Sequence, residues 1–500
     1  MQPNSFFSNK IVRYISWSII PIVWLILIGM LYYRNSQRSI IESEAKVDYT
    51  SGEVILREDW MRIYLNGEQV GYSKTSLVEG RYSGKKAYLL NNETNLYLLV
   101  AGANQNIQVT GNSVLDTDLT LLNFNQELDT GGHRLRVRGV FGEKQLKLVI
   151  NSGTGDMQRI IPLTTKCYSA ELVNLIMLRD NFPIGKKYLL PMFDPTTLTA
   201  NNFEVETISK STIEIKGQKY PAFEVQERFK GVTQTIWVNE KGEILKEIAN
   251  LAGLNLVAIK EFNPDKSELQ VVHRSTQDLL INSAIESNRE IKNPRDLKEL
   301  TVKLSNLAID SIQGQKVENG SVILHVHTID LDRLPPFTKQ INIRQFIHYL
   351  APSPLVQSTD PEIVKKAKEI AGNTPDSVKA ASKLTRWVYG NVNKRILLSV
   401  PSAVDVLKTR EGDCNEHSVL FAALARSLGI PTKIIAGIVY KDEYFFYHAW
   451  NEVWVGQWVP VDATFGETAV DATHIKLIEG DLDQQVQLLS LVGKLQVEVQ

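Results

Sequence analysis

Short segments in which apolar and polar residues alternate fill the stretch from residue 53 to about residue 262. The alternation is clearest over 134–140 and 144–148. Because successive side chains of a strand point to opposite faces, this period of two predicts strands. Short strands joined by tight turns pair antiparallel, so the sequence predicts an antiparallel sheet or half-barrel over 53–262. The turn signals are Asn66-Gly67, Gly131-Gly132, Gly142-Glu143 and Lys241-Gly242.

A run of 20 uncharged residues, 14–33, is rich in Ile, Leu, Val and Trp. As a helix it would span roughly 30 Å, the thickness of the hydrocarbon core of a bilayer. Trp17, Tyr32 and Tyr33 lie near its ends, where aromatic side chains anchor a helix at the membrane interface. The alternatives are a buried core helix and a cleaved signal peptide, but no small-residue cleavage pattern follows the run. The sequence therefore predicts a single-pass membrane anchor, with the bulk of the chain extracytoplasmic because only a short tail precedes the anchor.

The chain has 500 residues, of which 43% are hydrophobic and 22% charged, and its formal net charge is −1. This length exceeds what one hydrophobic core organises, so several domains are expected. No strong block of one charge sign is present, which argues against nucleic acid as a partner. Changes in sequence pattern divide the chain into a tail 1–13, the anchor 14–33, a β-rich domain 53–262, a helical linker 267–292, a small β-rich segment 297–350, an α+β domain 360–480 and a C-terminal extension 481–500.

The tripeptide Gly412-Asp413-Cys414 precedes an apolar helical pattern that ends at Gly429 and Pro431. Asp413 is a suitable N-cap, which places Cys414 in the first turn. Unpaired N–H groups and the helix dipole favour an anion there, so a lowered thiol pKa is expected. Considered alone, Cys414 is better interpreted as a buried, inert cysteine. Cys167, the other cysteine, is predicted to be a small buried hydrophobe, and a disulfide between the two would exclude a nucleophile.

Two further side chains complete a catalytic pattern. Residues 444–454 and 458–463 predict two strands that pair about Gly456, which places His448 diagonal to Asp462 and on the same face. A register slip of one residue would separate the two side chains. The predicted roles are nucleophile for Cys414, general base and acid for His448, and orientation of the imidazole for Asp462. His417 competes as the base because it lies one helical turn from Cys414, but no carboxylate partner is predicted for it. Two weaker candidates are interpreted as loop or strand residues: Asp471 and His474.

Four motifs, in this order and at fitting spacing, resemble the transglutaminase-like domain, a branch of the papain-like cysteine enzymes. The resemblance covers roughly residues 360–480. It implies an α+β fold in which the nucleophile helix packs on an antiparallel sheet. It also implies that Cys414, His448 and Asp462 match the catalytic triad of the family, and that the chemistry proceeds through a thioester without a cofactor. The motifs are Gly412-Asp413-Cys414, Gly429-Ile430-Pro431, His448-Ala449-Trp450 and Asp462-Ala463-Thr464.

Together these predictions describe an α+β multidomain protein with an N-terminal transmembrane helix, a β-rich middle region and a C-terminal transglutaminase-like domain. The predicted function is a membrane-anchored cysteine hydrolase or acyltransferase that acts on a peptide or protein amide through a thioester. The chain shows no calcium-loop signature of animal crosslinking enzymes, so protein crosslinking is not the first expectation. Two alternatives stay open: a catalytically silent binding or scaffold protein of the same fold, and a zinc site built from Cys414, His417, His448 and Asp462.

Overall fold

A computed structural model describes residues 49–130, 134–151, 156–195, 198–229, 232–251, 254–265, 269, 276–307, 311–313, 315–338, 341–396, 402–480 and 485–500. The predicted anchor, 14–33, lies outside these residues. Among the described residues, no helix is long and apolar enough to cross a membrane. The longest of their helices has 15 residues, whereas a membrane-spanning helix needs about 20. The prediction of single-pass membrane localisation is accordingly wrong for the chain as described.

Strands dominate the described chain, which is 52% strand and 19% helix. The prediction of an α+β class for the whole molecule is therefore wrong, and the protein is mostly β. The cause is the length of the strands in the N-terminal half, the longest of which have 17 residues. A strand of a globular protein has about 5–6 residues on average.

One antiparallel sheet of 14 strands forms the N-terminal half. Its order is β8-β7-β6-β5-β4-β3-β2-β1-β14-β13-β12-β11-β10-β9. Two series of consecutive hairpins therefore meet where β1 pairs with β14. The strands are β1 Tyr49–Leu65, β2 Glu68–Tyr82, β3 Lys85–Val100, β4 Ala103–Leu115, β5 Leu121–Asp129, β6 Arg134–Phe141, β7 Gln145–Asn151, β8 Asp156–Pro162, β9 Lys187–Asp194, β10 Thr199–Ile215, β11 Gln218–Phe229, β12 Val232–Val238, β13 Ile244–Leu251 and β14 Leu254–Glu261.

Two-residue turns that end in glycine join several of the long hairpins. Asn66 and Gly67, between β1 and β2, have φ angles of 46° and 88°. Type I′ turns need positive φ at both central residues, and their twist matches the twist of paired strands. Positive φ at both residues recurs at Ser83-Gly84, Ala101-Gly102 and Lys216-Gly217. Only the first of these turns has the sequence Asn-Gly, which is the dipeptide that most clearly predicts a type I′ turn.

The connection between the edge strands β8 and β9 bridges the two halves of the sheet. The N–H of Leu121 donates to the carbonyl of Cys167, and the N–H of Tyr168 donates to the carbonyl of Pro191, both at 2.8 Å. A short 3-10 turn over Ala170–Leu172 and helix α1, Val173–Arg179, follow. Burial raises the pKa of the Cys167 thiol to about 11. Both cysteines are free thiols, which excludes the disulfide alternative in this structure.

Short elements follow the large sheet. In the described part of the predicted helical linker, 267–292, helix α2 lies at Leu279–Ser283 and a two-residue strand, β15, at Ile285–Glu286. The elements up to the α+β domain are β16 Glu299–Ser305, β17 Ser311–Ile312, β18 Gln315–Lys316, β19 Val322–His327 and helix α3 Ile347–Leu350, with 3-10 turns at Pro294–Asp296 and Leu331–Arg333.

The α+β domain packs helices on one face of a five-stranded sheet whose order is β15-β23-β22-β25, with β24 paired to β23. Helix α7 is its centre: residues 419–425 of this helix are at most 5% exposed, and it contacts α4, α5 and α6 as well as β22 and β23. The elements are α4 Pro361–Ala371, α5 Ser377–Asn391, β20 Asn393–Lys394, α6 Ala403–Thr409, β21 Glu411–Gly412, α7 Cys414–Ser427, β22 Thr432–Lys441, β23 Tyr444–Trp454, β24 Trp458–Val461 and β25 Ile475–Glu479.

The C-terminal residues return to the small β-rich segment. After a 3-10 turn at Val486–Ser490, strand β26, Gln496–Val499, pairs with β16 and completes a three-stranded sheet in the order β19-β16-β26. Val497 and Val499 share a hydrophobic core with Ile438 and Ile475 of the five-stranded sheet. The C-terminal extension, the small β-rich segment and the α+β domain are therefore packed around common apolar contacts.

Replacing Val499 by alanine is expected to destabilise the protein by about 2 kcal/mol, because Val499 is 5% exposed and its loss leaves a cavity in this core. The neighbouring change Glu498→Ala is the control, because Glu498 is exposed and its contact with Lys303 is a surface ion pair at 4.0 Å. Its effect should stay within about 0.5 kcal/mol. Urea unfolding followed by tryptophan fluorescence measures both. Equal destabilisation by the two variants would contradict the packing of β26.

Candidate active site

A capping box fixes the first turn of α7. The Asp413 carboxylate accepts hydrogen bonds from the backbone N–H groups of Asn415, at 2.8 Å, and of Glu416, and the Glu416 carboxylate accepts one from the N–H of Asp413 at 2.9 Å. Gly412 is required beside this box, because a Cβ at that position would lie 2.1 Å from the Cβ of Glu416. Cys414 is the first residue of the helix, which confirms the predicted helix start.

The environment of the Cys414 thiol disfavours the thiolate. Cys414 is half-buried, and desolvation, followed by the negative charge of Asp413, raises the pKa of its thiol well above the ordinary value. The N–H of Ala449 donates a hydrogen bond to the sulfur and acts in the opposite direction, but burial and the negative charges outweigh it. The expectation of a lowered pKa is wrong, because the thiol is desolvated and because the capping box brings the charges of Asp413 and Glu416 to the same helix end. The thiol is protonated at neutral pH, so its attack on a substrate requires a base.

The β23–β24 hairpin has the predicted register. Asn451 pairs with Val461 and Trp454 with Trp458, which is symmetric about Gly456. The chain then places the imidazole Nε2 of His448 2.7 Å from the Oδ2 of Asp462. Both residues are buried, with 8% of His448 and none of Asp462 exposed.

Four donors hold the Asp462 carboxylate. Oδ1 accepts from the backbone N–H groups of Thr464, at 2.6 Å, and Phe465, at 3.0 Å, while Oδ2 lies within hydrogen-bond distance of His448 and, at 3.2 Å, of His474. Burial would raise the pKa of Asp462, but attraction to His448 and the hydrogen bonds from both imidazoles hold it well below its usual range. Asp462 is therefore ionised, and its carboxylate is hydrogen-bonded to Nε2 of His448. The other ring nitrogen of His448, Nδ1, takes no part in this hydrogen bond.

Packing of α7 on β23 brings Cys414 to the strand that carries His448. The sulfur of Cys414 accepts its hydrogen bond from Ala449, the residue that follows His448. One helical turn further along α7, the carbonyl of Ser418 accepts from the Nδ2 of Asn451 on the same strand at 3.1 Å. These two contacts fix the helix against β23 directly after the histidine.

Aromatic rings restrict the plane of the His448 imidazole. Phe465 stacks on it with centroids 4.8 Å apart and an interplanar angle of 10°, and Trp450 lies nearly parallel at 6.1 Å. Trp450 needs a glycine on the neighbouring strand, since a Cβ on Gly437 would lie 2.6 Å from its Cη2. Phe465 has no signal in the sequence beyond its place directly after the Asp462-Ala463-Thr464 motif.

His474 joins the site as a second imidazole. Its Nε2 lies 3.2 Å from Asp462 and its Nδ1 lies 3.2 Å from Asp471, whose Oδ2 also accepts a 2.6 Å hydrogen bond from Arg295. Burial lowers the pKa of His474, but the two carboxylates outweigh it and raise the pKa to about 9. An imidazolium therefore bridges two buried carboxylates at neutral pH. The sequence pattern marks Asp471 and His474 only weakly, because nothing in it shows that the chain folds back after β24, where Asp462 and Glu467 exchange backbone hydrogen bonds.

His417 is buried and turned toward its own helix. Its Nδ1 lies 2.6 Å from the carbonyl of Asp413. Desolvation lowers the pKa of His417, despite the hydrogen bond to Asp413. The ring is thus neutral near pH 7 and has no carboxylate to hold it.

Two groups of three side chains have ligand atoms close enough to hold a metal ion, within 4.8 Å of one another in each group. They are His448, Asp462 and His474, and Glu467, Asp471 and His474. Neither contains Cys414 or His417, so the zinc site predicted as an alternative is not assembled among the described residues.

Residues 364–463 match the sequence profile of the Transglutaminase-like superfamily, which confirms the resemblance over that range. The search of curated proteins gives no match. Among solved structures, a candidate cysteine protease from Cytophaga hutchinsonii is 20% identical over 40% of this chain and 81% of its own, with a TM-score of 0.29. A β-barrel-like protein from Brucella abortus is 8% identical over 41% of this chain and 95% of its own, with a TM-score of 0.32. A candidate protease from Parabacteroides distasonis is 9% identical over 76% and 70%, with a TM-score of 0.19. At these scores none of the three structural likenesses supports a conclusion about this chain.

Alkylation of Cys414 by iodoacetamide is expected to follow an apparent pKa above the value of about 8.5 for a free thiol, because desolvation and Asp413 disfavour the thiolate. Asp413→Asn keeps a capping side chain and removes the charge, so its apparent pKa should be lower. The control is Asp442→Asn, in an exposed turn. Mass spectrometry of the Cys414 peptide across pH measures the rates, and full reactivity at pH 6–7 in the wild type would contradict the electrostatics.

Protonation of His474 should stabilise the folded protein in a defined pH window. Because the folded-state pKa, about 9, lies above the usual 6.5, the stabilisation is complete below pH 6.5 and is lost as the pH rises through 9. His474→Gln should therefore cost on the order of 3 kcal/mol at pH 6 and much less at pH 9.5. His325→Gln, at an exposed position of β19, is the matched control. Urea unfolding at both pH values tests this, and a cost that does not change with pH would refute it.

Proposed function

We propose that this chain is a cysteine amide hydrolase or acyltransferase that acts on peptide-like amides through a thioester. The observation that carries the proposal is the 2.7 Å contact between the buried, ionised Asp462 and His448, next to the strand residue whose N–H binds the Cys414 sulfur. The match of residues 364–463 to the transglutaminase-like superfamily supports the same chemistry.

In this mechanism His448 acts as a base at the moment of attack. Its Nδ1 accepts the proton of the Cys414 thiol while Asp462 stabilises the imidazolium that forms. The sulfur bonds to the amide carbonyl carbon and a tetrahedral intermediate forms. His448 gives the proton to the leaving nitrogen as the C–N bond breaks, and the acyl group stays on Cys414 as a thioester. Attack of water on the thioester completes hydrolysis, whereas attack of a second amine completes acyl transfer.

The oxyanion of the tetrahedral intermediate needs N–H donors. The N–H groups of Asn415 and Glu416 already donate to Asp413, so the first turn of α7 offers the N–H of Cys414 itself. The proposed site therefore depends on one helix N–H and on donors from elsewhere in the site, rather than on the whole helix N-terminus.

A second candidate function is a silent binding protein that has kept the fold. The raised pKa of Cys414 favours this candidate, because a thiol that stays protonated is a poor nucleophile. The two candidates differ in one property: only the enzyme forms an acyl adduct on Cys414.

Release of 4-nitroaniline from a library of peptide anilides, including glutaminyl peptides, is expected for the wild-type chain. Cys414→Ala should abolish it, and intact-mass spectra should show an acyl adduct on Cys414 in the wild type. Cys167→Ala is the matched control and should keep full activity, because Cys167 is buried in the other half of the molecule. Added amine that captures the acyl group identifies a transferase. Absence of both turnover and adduct across the library would favour the silent protein.

The choice of base is tested by parallel substitutions. His448→Gln should lower kcat by at least about 100-fold, because general-base catalysis contributes 10²–10⁴-fold. His417→Gln should leave kcat within a few-fold of the wild type, since no carboxylate supports that ring. The reverse ranking, measured with the best library substrate, would assign the base to His417.

A further inference from the structure

The 14-stranded sheet contains a cavity of about 480 Å³ that is far in sequence from the proposed active site. Its lining comes from ten strands, β1–β5 and β10–β14, and from the start of the α1 segment at 170–175. A volume of this size is typical of small-molecule sites, which span about 300–1,000 Å³. Every lining residue lies from 57 to 258, so the large sheet and the helical segment beside it form the cavity without the α+β domain.

Three glutamates line the cavity and repel one another. Glu171 accepts hydrogen bonds from Asn92, at 2.9 Å, and from Ser169, and Glu247 accepts one from Gln234. Glu227 has no hydrogen-bond or ion-pair partner among the described residues. Burial, and then the charge of Glu247, raises the pKa of Glu227 to about 8, and burial with the charge of Glu171 raises the pKa of Glu247 to about 7.

The cations near the cavity are already balanced. Arg57, which lines it, binds Asp59 and the carbonyl of Gly242. Lys260, which is 7% exposed, binds Asp59 and lies 3.7 Å from Glu243. These two cations and two carboxylates sum to zero charge, although one guanidinium nitrogen of Arg57 lacks an acceptor. The charge of the three glutamates is left without a counter-charge.

Two amide oxygens in the lining also lack donors. Asn174 is 5% exposed; its Nδ2 donates to the carbonyl of Gly242 at 2.8 Å, but its Oδ1 has no hydrogen-bond partner. Asn92 donates to Glu171 and likewise has an unpartnered Oδ1. A buried acceptor without a donor costs free energy. The cavity thus holds an excess of acceptors, which a ligand with N–H donors would satisfy.

The rest of the lining is apolar. It includes Ile63, Leu77, Leu172, Phe203, Ile236 and Leu256. A ligand that fills the cavity therefore needs a hydrocarbon part as well as a donor group.

From the three uncompensated glutamates, the unpartnered oxygen of Asn174 and the apolar walls, we propose that this cavity binds a small organic cation, a protonated amine with a short hydrocarbon chain. The ammonium donates to Glu227, Glu247 and Asn174, and the chain lies against the apolar walls. The charged groups that face Glu227 are Glu247 on β13, Glu171 before α1, and the Arg57–Asp59 pair on β1.

The proposal predicts a link between amine binding and protonation. At pH 7 the free site keeps a proton on most copies of Glu227 and on about half of the copies of Glu247, because the pKa values of these two groups are raised to about 8 and about 7. A bound ammonium favours the carboxylates, so binding releases protons and becomes tighter as the pH rises from 6 to 8.5. A primary alkylamine stays protonated over that range.

Isothermal titration calorimetry of the full chain with octylamine, at pH 6, 7 and 8.5, tests the proposal. Octanol and octanoate are the neutral and anionic probes of equal chain length. Glu227→Gln is nearly isosteric and should weaken octylamine binding by roughly 10-fold or more, as for the loss of a hydrogen bond to a charged group. Glu240→Gln is the control, because its side chain is 70% exposed on a turn.

The expected result is octylamine binding that tightens with pH, clear preference over octanol and octanoate, and loss of that preference in Glu227→Gln alone. Octanol binding as tightly as octylamine would show an apolar site and overturn the proposal. So would no octylamine binding at pH 8.5, or equal affinity in the wild type and Glu227→Gln. The wild-type comparison of the three probes stands even if a variant folds poorly.

Discussion

The buried carboxylate of Asp462 is the group on which the geometry of the proposed active site depends. An ionised carboxylate removed from water is costly unless its oxygens are fully hydrogen-bonded. Asp462 meets this condition with two backbone N–H groups of its own turn and two imidazoles, His448 and His474. The turn, strand β23 and the chain that leads into β25 must therefore all be in place together. The hairpin register about Gly456 is one requirement of this arrangement, and the fold-back after β24 is the other.

The nucleophile helix shows a conflict between geometry and reactivity. Asp413 and Glu416 satisfy the free N–H groups of the first turn and fix where α7 begins. The same two carboxylates place negative charge beside the thiol, and together with burial they raise the pKa of Cys414. A helix N-terminus favours a thiolate only when its N–H groups and dipole are not already neutralised by acidic caps. A site of this kind is suited to a mechanism in which the histidine takes the proton of the thiol as the sulfur attacks the substrate. It is less suited to one that starts from a preformed thiolate–imidazolium ion pair.

Local patterns predicted the parts of the molecule that depend on neighbouring residues. The start of α7 followed from a capping residue before an apolar stripe, and the β23–β24 register followed from a strand period of two and one glycine turn. His474 could not be found this way, because its contact with Asp462 depends on how a non-periodic segment folds back. The pairing of β1 with β14 joins residues about 200 positions apart, and no pattern in either strand encodes it. The hydropathy of 14–33 predicted a membrane anchor. The hydropathy of that run carries no information about the fold of the described residues, which are mostly strands.

The large sheet shows why alternation alone cannot tell a ligand site from a solvated face. Leu245 on β13 is fully buried against Ile215 and Ala222 on one face of the sheet, while Glu247 lines the cavity on the other. These two residues are two apart and lie on opposite faces because the β12–β13 register shifts between Trp237 and Val238. In sequence, such a glutamate is indistinguishable from one that faces water, because the period of two assigns residues to faces without saying which face is enclosed. The 170–175 segment covers the second face of the sheet, so the carboxylates on that face are removed from water. The alternating sequence pattern is the same as for a face exposed to solvent. Burial raises the pKa of an acidic residue at such a position, and the buried carboxylate destabilises the empty protein at neutral pH. A fold that keeps Glu227 and Glu247 at such positions, with Glu171 lining the same cavity, is best explained if a cation enters it.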